Sequence, residues 1–140
     1  MQEKQPSTLP NIHKTVVLNA PIDKVWKAVS TSEGIAAWFM PNDFQPILGN
    51  EFVFNAGNYG ISHCKVTELN PPYSLGFDWG KDWHISLELK DLDGKTEFTL
   101  IHSGWDDEKV TEFGEEHTVV RGRMDQGWGD LQSLRKYVEA

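Results

Sequence analysis

Histidine is the residue type in this sequence with the best prospect of acid–base chemistry. In the segment Lys95–Ser103, Phe98, Leu100 and His102 alternate with other residues and therefore share one face of a predicted strand. A buried neutral imidazole needs a hydrogen-bond partner. The pattern therefore leaves two interpretations of His102: a ring that is paired within the core, or a ring that orients the polar group of a bound ligand.

The other histidines and the single cysteine supply no second catalytic group. His84 has the opposite parity from Trp83 and Ile85, so we expect it to face outward. His63 and Cys64 are adjacent in a strand and face opposite ways, but the sequence does not fix which of them faces inward. A lone cysteine excludes an intramolecular disulfide and a multi-cysteine metal centre. We interpret Cys64 as a small apolar side chain that fills space in the core.

Motifs that identify common enzyme classes are missing from the sequence. It contains no GxSxG elbow, GxxxxGK[ST] loop, HExxH pair or CxxC pair. The segment Asp91–Gly94 resembles the start of a calcium loop, but its glycine is fourth rather than sixth and strands flank it. We therefore predict no catalytic set, no metal site and no cofactor.

Charged residues are concentrated in two short segments near the carboxyl end. Asp106, Asp107 and Glu108, followed by Glu112, Glu115 and Glu116, form an acidic segment that is typical of a solvated loop and could also attract a divalent ion. Beyond it, Arg121 and Arg123 either form salt bridges to that loop or bind an anionic group of a ligand or partner. The net charge of −8 argues against a broad surface for nucleic acid or anionic membrane.

The hydrophobic period predicts the elements that position these residues. Lys14–Asn19 is predicted to be a strand, Pro21 opens a short helix to about Thr31, and Glu33–Trp38 forms a second short helix. From Gln45 onward the period is two, which predicts a series of antiparallel strands. These are Glu51–Ala56, Ile61–Leu69, Ser74–Trp79, Trp83–Lys90 and Lys95–Ser103, with Asp93-Gly94 as a hairpin turn.

The last segment has the period of a helix. Between Thr118 and Val138 apolar residues recur every three or four positions, over about twenty residues. Gly122, Gly127 and Gly129 each lower helix propensity, by about 1 kcal/mol relative to alanine. Either the helix backbone approaches the sheet closely at the glycines, or they leave space for a bound molecule.

Composition is consistent with one domain that is rich in aromatic residues. A chain of 140 residues and 15.9 kDa is the size of a single core, with 1–13 expected as a flexible tail and 14–140 as the domain. Aromatic residues make up 11% of the chain, and they could fill a core or line a cavity. The sequence shows no signal-peptide pattern and no apolar run near the ~20 residues of a membrane span, so we expect a cytoplasmic protein.

Four ordered motifs resemble a known family. They are Ala20–Ala28 with Trp38-Phe39-Met40-Pro41, then Glu68–Pro72 with Leu75–Trp79, then Thr96–Trp105, then Gly127-Trp128 with Leu131, Leu134 and Tyr137. Together they resemble the family of homologues of the activator of heat-shock protein 90 ATPase, within the START-like (SRPBCC) superfamily. The resemblance implies an α+β helix-grip fold: a seven-stranded, curved antiparallel sheet wrapped around a long C-terminal helix, with two short helices after the first strand. The strand that it adds to those predicted from the period is expected at Asp43–Leu48.

The resemblance and the aromatic pattern together predict a binding protein. We expect a small hydrophobic or aromatic molecule, such as a lipid or polyketide, in a cavity between sheet and helix. The alternatives are a cyclase or hydrolase that uses His102 as general base, and an interaction module for a chaperone. An exposed edge strand would permit a homodimer as well as a monomer. The expected ligand-binding residues are Phe39, Phe52, Phe54, Phe77, Trp79, Trp83, Leu100, His102, Met124 and Trp128.

Overall fold

One antiparallel sheet organises the part of the chain that the structure describes. The computed structural model describes residues 9–57, 60–106, 108–111, 114–129 and 131–140. Its six strands are arranged in the order β1-β6-β5-β4-β3-β2. In chain order the elements are β1 (Ile12–Leu18), α1 (Ile22–Val29), α2 (Ser32–Trp38), β2 (Glu51–Asn55), β3 (Ile61–Asn70), β4 (Ser74–Trp79), β5 (Trp83–Asp91), β6 (Thr96–Ser103), α3 (His117–Trp128) and α4 (Gln132–Val138).

The predicted α+β helix-grip class is confirmed, with one strand fewer in the described residues than the resemblance implies. Segment 43–48 contains no strand, and the nearest pairing is an isolated bridge between Asn42 and Phe54. The hairpin at Asp93-Gly94 is present, and both residues have a positive φ, as a tight hairpin turn requires. Of the predicted N-terminal tail, residues 1–8 lie outside the described residues. The first described residue, Leu9, donates its N–H to the carbonyl of Trp105 at 3.1 Å.

The two short helices close one end of the sheet. Val25, Ala28 and Val29 form the buried face of α1. Helix α2 begins at Ser32, one residue before the predicted start at Glu33, and its N-cap is Thr31, whose hydroxyl accepts the N–H of Gly34 at 3.0 Å. A Cβ at Gly34 would lie 2.6 Å from the carbonyl oxygen of Ala28. The glycine therefore allows α2 to start directly against the end of α1.

Alternation along the strands gives the sheet an aromatic inner face. Phe52 and Phe54 of β2, Phe77 and Trp79 of β4, and His102 of β6 are all buried, as their parity predicts. The sequence did not fix which residues of β3 face inward. In the structure Cys64 is buried and His63 is exposed.

The C-terminal helix is divided into two. The apolar stripe predicts one helix from Thr118 to Val138. In the structure Gly129 and Leu131 have φ values of +53° and +61°, so α3 ends before Gly129 and α4 begins after Leu131. Helix α4 packs against α1 and α2, where Leu134 and Val138 are fully buried. Helix α3 is joined to the start of the sheet by Lys14–Asp125 at 2.9 Å. Among the described residues, no helix is long and apolar enough to cross a membrane.

Candidate functional site

A cavity of about 510 Å³ lies between the inner face of the sheet, the end of α2 and helix α3. Four aromatic residues form much of its wall: Phe39, Trp79, Trp83 and Trp128. Met40, Val120 and Met124 add flexible or branched apolar surface, and Asn55, Ser62 and Thr111 add polar groups. The lining is therefore largely apolar with a few polar groups, as in pockets that bind small organic molecules.

Five of the predicted ligand-binding residues line this cavity: Phe39, Trp79, Trp83, Met124 and Trp128. Three others, Phe54, Phe77 and Leu100, border a much narrower space of about 20 Å³. Phe52 packs edge-to-face on Phe54 and Phe77, at 5.4 Å in each case. These four residues share the predicted face of the sheet, but they form the core beside the cavity.

Aromatic contacts hold the wall in place. Phe39 stacks on Trp128 with ring centres 4.7 Å apart, and it meets Trp79 edge-to-face at 5.8 Å. Trp79 in turn meets Trp83 edge-to-face at 5.5 Å. Stacked and edge-to-face pairs are favourable geometries that each add about 0.5–1.5 kcal/mol beyond area burial. The open volume is therefore bounded by side chains that support one another across α2, β4, β5 and α3.

His102 lies behind this wall, and it is not among the residues that line the cavity. Its ring is fully buried and stacks on Trp79 at 5.6 Å. Trp128 donates its indole N–H to Nδ1 of His102 at 3.1 Å. Burial, followed by the nearby charges of Arg121 and His117, lowers the pKa of His102 to about 3. The ring is therefore neutral at pH 7.

The hydrogen bond from Trp128 fixes the tautomer of His102. Because Nδ1 accepts, the proton of the neutral ring is on Nε2, and Nε2 has no hydrogen-bond partner among the described residues. The hydrogen bond to the His102 ring thus comes from Trp128, a residue of the cavity wall. It orients the Trp128 side chain at the end of α3. Trp105, which the sequence analysis did not single out, also packs on His102, with ring centres 4.5 Å apart, and donates its indole N–H to the His102 carbonyl at 3.0 Å.

A second buried histidine joins the start of α3 to the sheet. His117 is fully buried, its Nδ1 accepts the N–H of Asp106 at 3.1 Å, and its Nε2 lies 3.4 Å from Oδ2 of Asp82. The other carboxylate oxygen of Asp82 is 3.3 Å from the ammonium of Lys109. The sequence analysis missed His117 because the residue stands just before the apolar stripe of the helix, where no period marks it.

An ion pair borders the cavity on the side of α3. Arg123 binds Glu115 through two contacts, at 3.3 Å and 2.5 Å, and both residues line the cavity. The hydrogen bond from Arg123 lowers the pKa of Glu115. The salt bridge to the acidic loop, one of the two interpretations of Arg123, is therefore present. Asp107 and Glu112 of the acidic segment lie outside the described residues.

The glycines of α3 do not approach the sheet. A Cβ built on Gly122 or Gly127 would meet no atom within 4 Å. Both glycines are exposed, but only Gly127 is among the residues that line the cavity. Of the two explanations for helical glycines, open space over a cavity fits Gly127 and close packing fits neither.

Several lining residues carried no sufficient signal in the sequence. Ser62 is on β3, whose parity the sequence did not fix, and Thr111 is in a loop. Val120 belongs to the predicted helical stripe, where a cavity residue and a core residue have the same spacing. Within the described ranges, no three histidine, cysteine, aspartate or glutamate side chains are grouped as a metal site.

The fold and the cavity define a helix-grip protein with internal apolar space. Residues 19–139 match the family model described as Activator of Hsp90 ATPase homolog 1-like protein, and the chain belongs to this family. A search of curated proteins gave no match.

Solved structures share this fold. Protein BH1534 of Bacillus halodurans is 44% identical, with a TM-score of 0.83 over 94% of this chain and 99% of that one. The Aha1 dimer of Colwellia psychrerythraea is 22% identical, with a TM-score of 0.74 over 94% and 97%. DynU16, a protein in the dynemicin biosynthetic locus, is 20% identical, with a TM-score of 0.74 over 93% of this chain and 47% of that one.

Proposed function

We propose that this protein binds a small hydrophobic or aromatic molecule in the cavity between the sheet and α3. The observation that carries the proposal is the cavity itself, about 510 Å³ with four aromatic side chains in its wall. Pockets for small ligands measure roughly 300–1,000 Å³ and combine an apolar wall with a few polar groups. A lipid or a polyketide-like compound has the size and polarity for such a space.

Two further observations support a ligand in this position. Gly127 lines the cavity and has open space beside it, although alanine at this position would give the helix a higher propensity. DynU16, which has the same fold, is a protein in the dynemicin biosynthetic locus.

Binding is favoured over catalysis because of where His102 lies. A general base must come within hydrogen-bond reach of the proton that it removes. His102 is fully buried, its Nδ1 accepts the indole N–H of Trp128, and its ring does not line the cavity. A cyclase or hydrolase that depends on His102 remains the alternative hypothesis, and turnover that disappears in His102→Asn would support it.

Pyrenebutanol, a neutral aromatic alcohol, is a suitable probe of the cavity. Three tryptophans line the space, so bound pyrene is expected to quench tryptophan emission by energy transfer. At a probe concentration of 100 times the dissociation constant, binding should stabilise the folded state by about 2.7 kcal/mol, measured as a rise in melting temperature. If neither this probe nor a library of hydrophobic compounds changes the emission or the melting temperature, the proposal is wrong.

Filling the cavity from α3 should abolish much of this binding. Gly127→Leu places a side chain where a Cβ meets nothing within 4 Å, so the protein should fold and gain about 0.5–1 kcal/mol from helix propensity. The affinity for pyrenebutanol should fall by about tenfold or more, equivalent to at least 1.4 kcal/mol of binding free energy. Fluorescence titration measures the affinity, and urea unfolding measures the gain in stability.

Gly122→Leu is the matched control, because Gly122 lies on the same helix, has equally open surroundings and does not line the cavity. It should gain similar helix propensity and bind the probe as the wild type does. Equal affinities in the two variants would place the probe somewhere other than this cavity.

We also propose that the protein acts in the cytoplasm, as a monomer or a homodimer. The Aha1 of Colwellia psychrerythraea, which shares the fold, is a dimer, and this supports the homodimer as one of the two states. Sedimentation at several concentrations distinguishes the two states. The alternative role as a chaperone-binding module predicts a change in the ATPase rate of the chaperone when this protein is added.

A further inference from the structure

We infer that the ligand of this cavity is an apolar carboxylic acid whose carboxylate binds Arg123 and takes the place of Glu115. The inference rests on the proposed function and adds a chemical class to it. Its basis is the pair of opposite charges that borders an otherwise apolar cavity.

Glu115 already shows how a carboxylate binds at this position. Its two oxygens meet the two terminal nitrogens of Arg123, at 3.3 Å and 2.5 Å. A guanidinium and a carboxylate form this two-point contact with a specific planar geometry. A ligand carboxylate at the same nitrogens would form the same contacts while its apolar part occupied the cavity.

The position of Arg123 makes it the fixed member of the pair. Arg123 is on α3, one residue before Met124 and four before Gly127, which also line the cavity. Glu115 precedes the helix, in the loop that follows Thr111. Displacing Glu115 therefore moves a loop side chain, whereas displacing Arg123 would disturb the wall itself.

Exchange of one carboxylate for another requires little free energy. The side chains of Arg123 and Glu115 are 39% and 37% exposed, so solvent screens their attraction. Exposed ion pairs of this kind contribute little to stability, and Glu115 can hydrate when it leaves. The ligand gains the contact to Arg123 together with burial of its apolar part.

The negative net charge of the protein allows a comparison of an anionic and a neutral probe to detect a specific cation in the cavity. The protein carries −8, so without a specific cation an anionic probe should bind more weakly than its neutral analogue. Arg123 is the only lysine or arginine among the described lining residues of the cavity. Preference for the anion would therefore point to this guanidinium.

The experiment compares pyrenebutanoate with pyrenebutanol, which differ only in the carboxylate and the hydroxymethyl group. We expect the wild type to bind the carboxylate more tightly, and Arg123→Gln to lower the ratio of carboxylate affinity to alcohol affinity about tenfold. Glu115→Gln removes the competing carboxylate and should raise the same ratio about two- to fivefold. Arg123→Lys, which keeps the charge but loses the two-point geometry, should be intermediate.

Arg135→Gln is the matched control. Arg135 forms a surface ion pair with Glu139 at 3.0 Å and does not line the cavity, so this variant should bind both probes as the wild type does. If both probes bind but Arg123→Gln and Glu115→Gln leave their ratio unchanged, the carboxylate inference is wrong and the proposed cavity function stands. If neither probe binds, both fail.

Discussion

Lowering the pH from 7 to 5 is expected to reduce the free energy of unfolding by about 2 kcal/mol through His102 alone. In the unfolded chain this histidine takes up a proton with the ordinary pKa of 6.5, whereas burial lowers the pKa in the folded state to about 3. Between these values the unfolded state holds more protons, so stability is lost as the pH falls from about 6.5 towards 3. Urea unfolding at the two pH values measures the loss.

His102→Asn removes the titrating ring and leaves an amide oxygen near the position of Nδ1, where it can accept the indole N–H of Trp128. The variant should be less stable at pH 7 but should lose about 2 kcal/mol less than the wild type on going to pH 5. His63→Asn, at an exposed position on β3, should keep most of the wild-type difference. The idea fails if His102→Asn and the wild type lose the same amount. A ring of His102 that becomes protonated in the folded protein by pH 5, observed by NMR, would also contradict it.

Gly104→Ala is expected to destabilise the protein by more than about 3 kcal/mol, the range of severe steric and backbone effects. Gly104 follows β6 with a φ of +94°, and a Cβ there would lie 2.0 Å from the carbonyl oxygen of Asp82. No rotamer relieves this contact, because the backbone fixes the position of a Cβ and the atom that it meets is a backbone oxygen. The close approach brings Trp105 against Trp83, with ring centres 4.7 Å apart. The substitution should therefore also shift the tryptophan emission of any folded fraction.

Gly94→Ala separates the two causes of that loss. Gly94 has nearly the same φ, +96°, but a Cβ there meets nothing within 4 Å. It should cost about 1–2 kcal/mol, the penalty for a side chain in this region of backbone space. Chemical unfolding of both variants gives the difference, and similar losses would show that φ alone, rather than the contact with Asp82, makes residue 104 a glycine.

The strands were predictable because their cause is local. Ser74–Trp79 forms β4 with the predicted limits, since turns flank it and its apolar residues alternate. The inward parity of Phe54, Trp79 and His102 followed from the same alternation. The seventh strand was predicted from the family resemblance alone, without a local pattern. The described residues 43–48 contain no strand.

The cavity was only partly predictable because alternation identifies a face and not the space in front of it. Trp79 and Phe77 have the same parity on one strand, yet Trp79 lines the cavity and Phe77 packs in the core. Which of them meets open space depends on how α2 and α3 lie across the curved sheet. The charged border was recognised as Arg123 with an acidic loop, but its place beside the cavity required the structure.

The interruption between α3 and α4 gives the two helices separate hydrogen-bond ladders. The N–H of Gly129 closes the last turn of α3 on Asp125, and the N–H of Arg135 opens α4 on Leu131. Local opening of α3 therefore breaks no hydrogen bond within α4, whose buried side chains stay on α1 and α2. A fluctuation of α3 can therefore change the width of the cavity at the free energy of local opening instead of that of global unfolding.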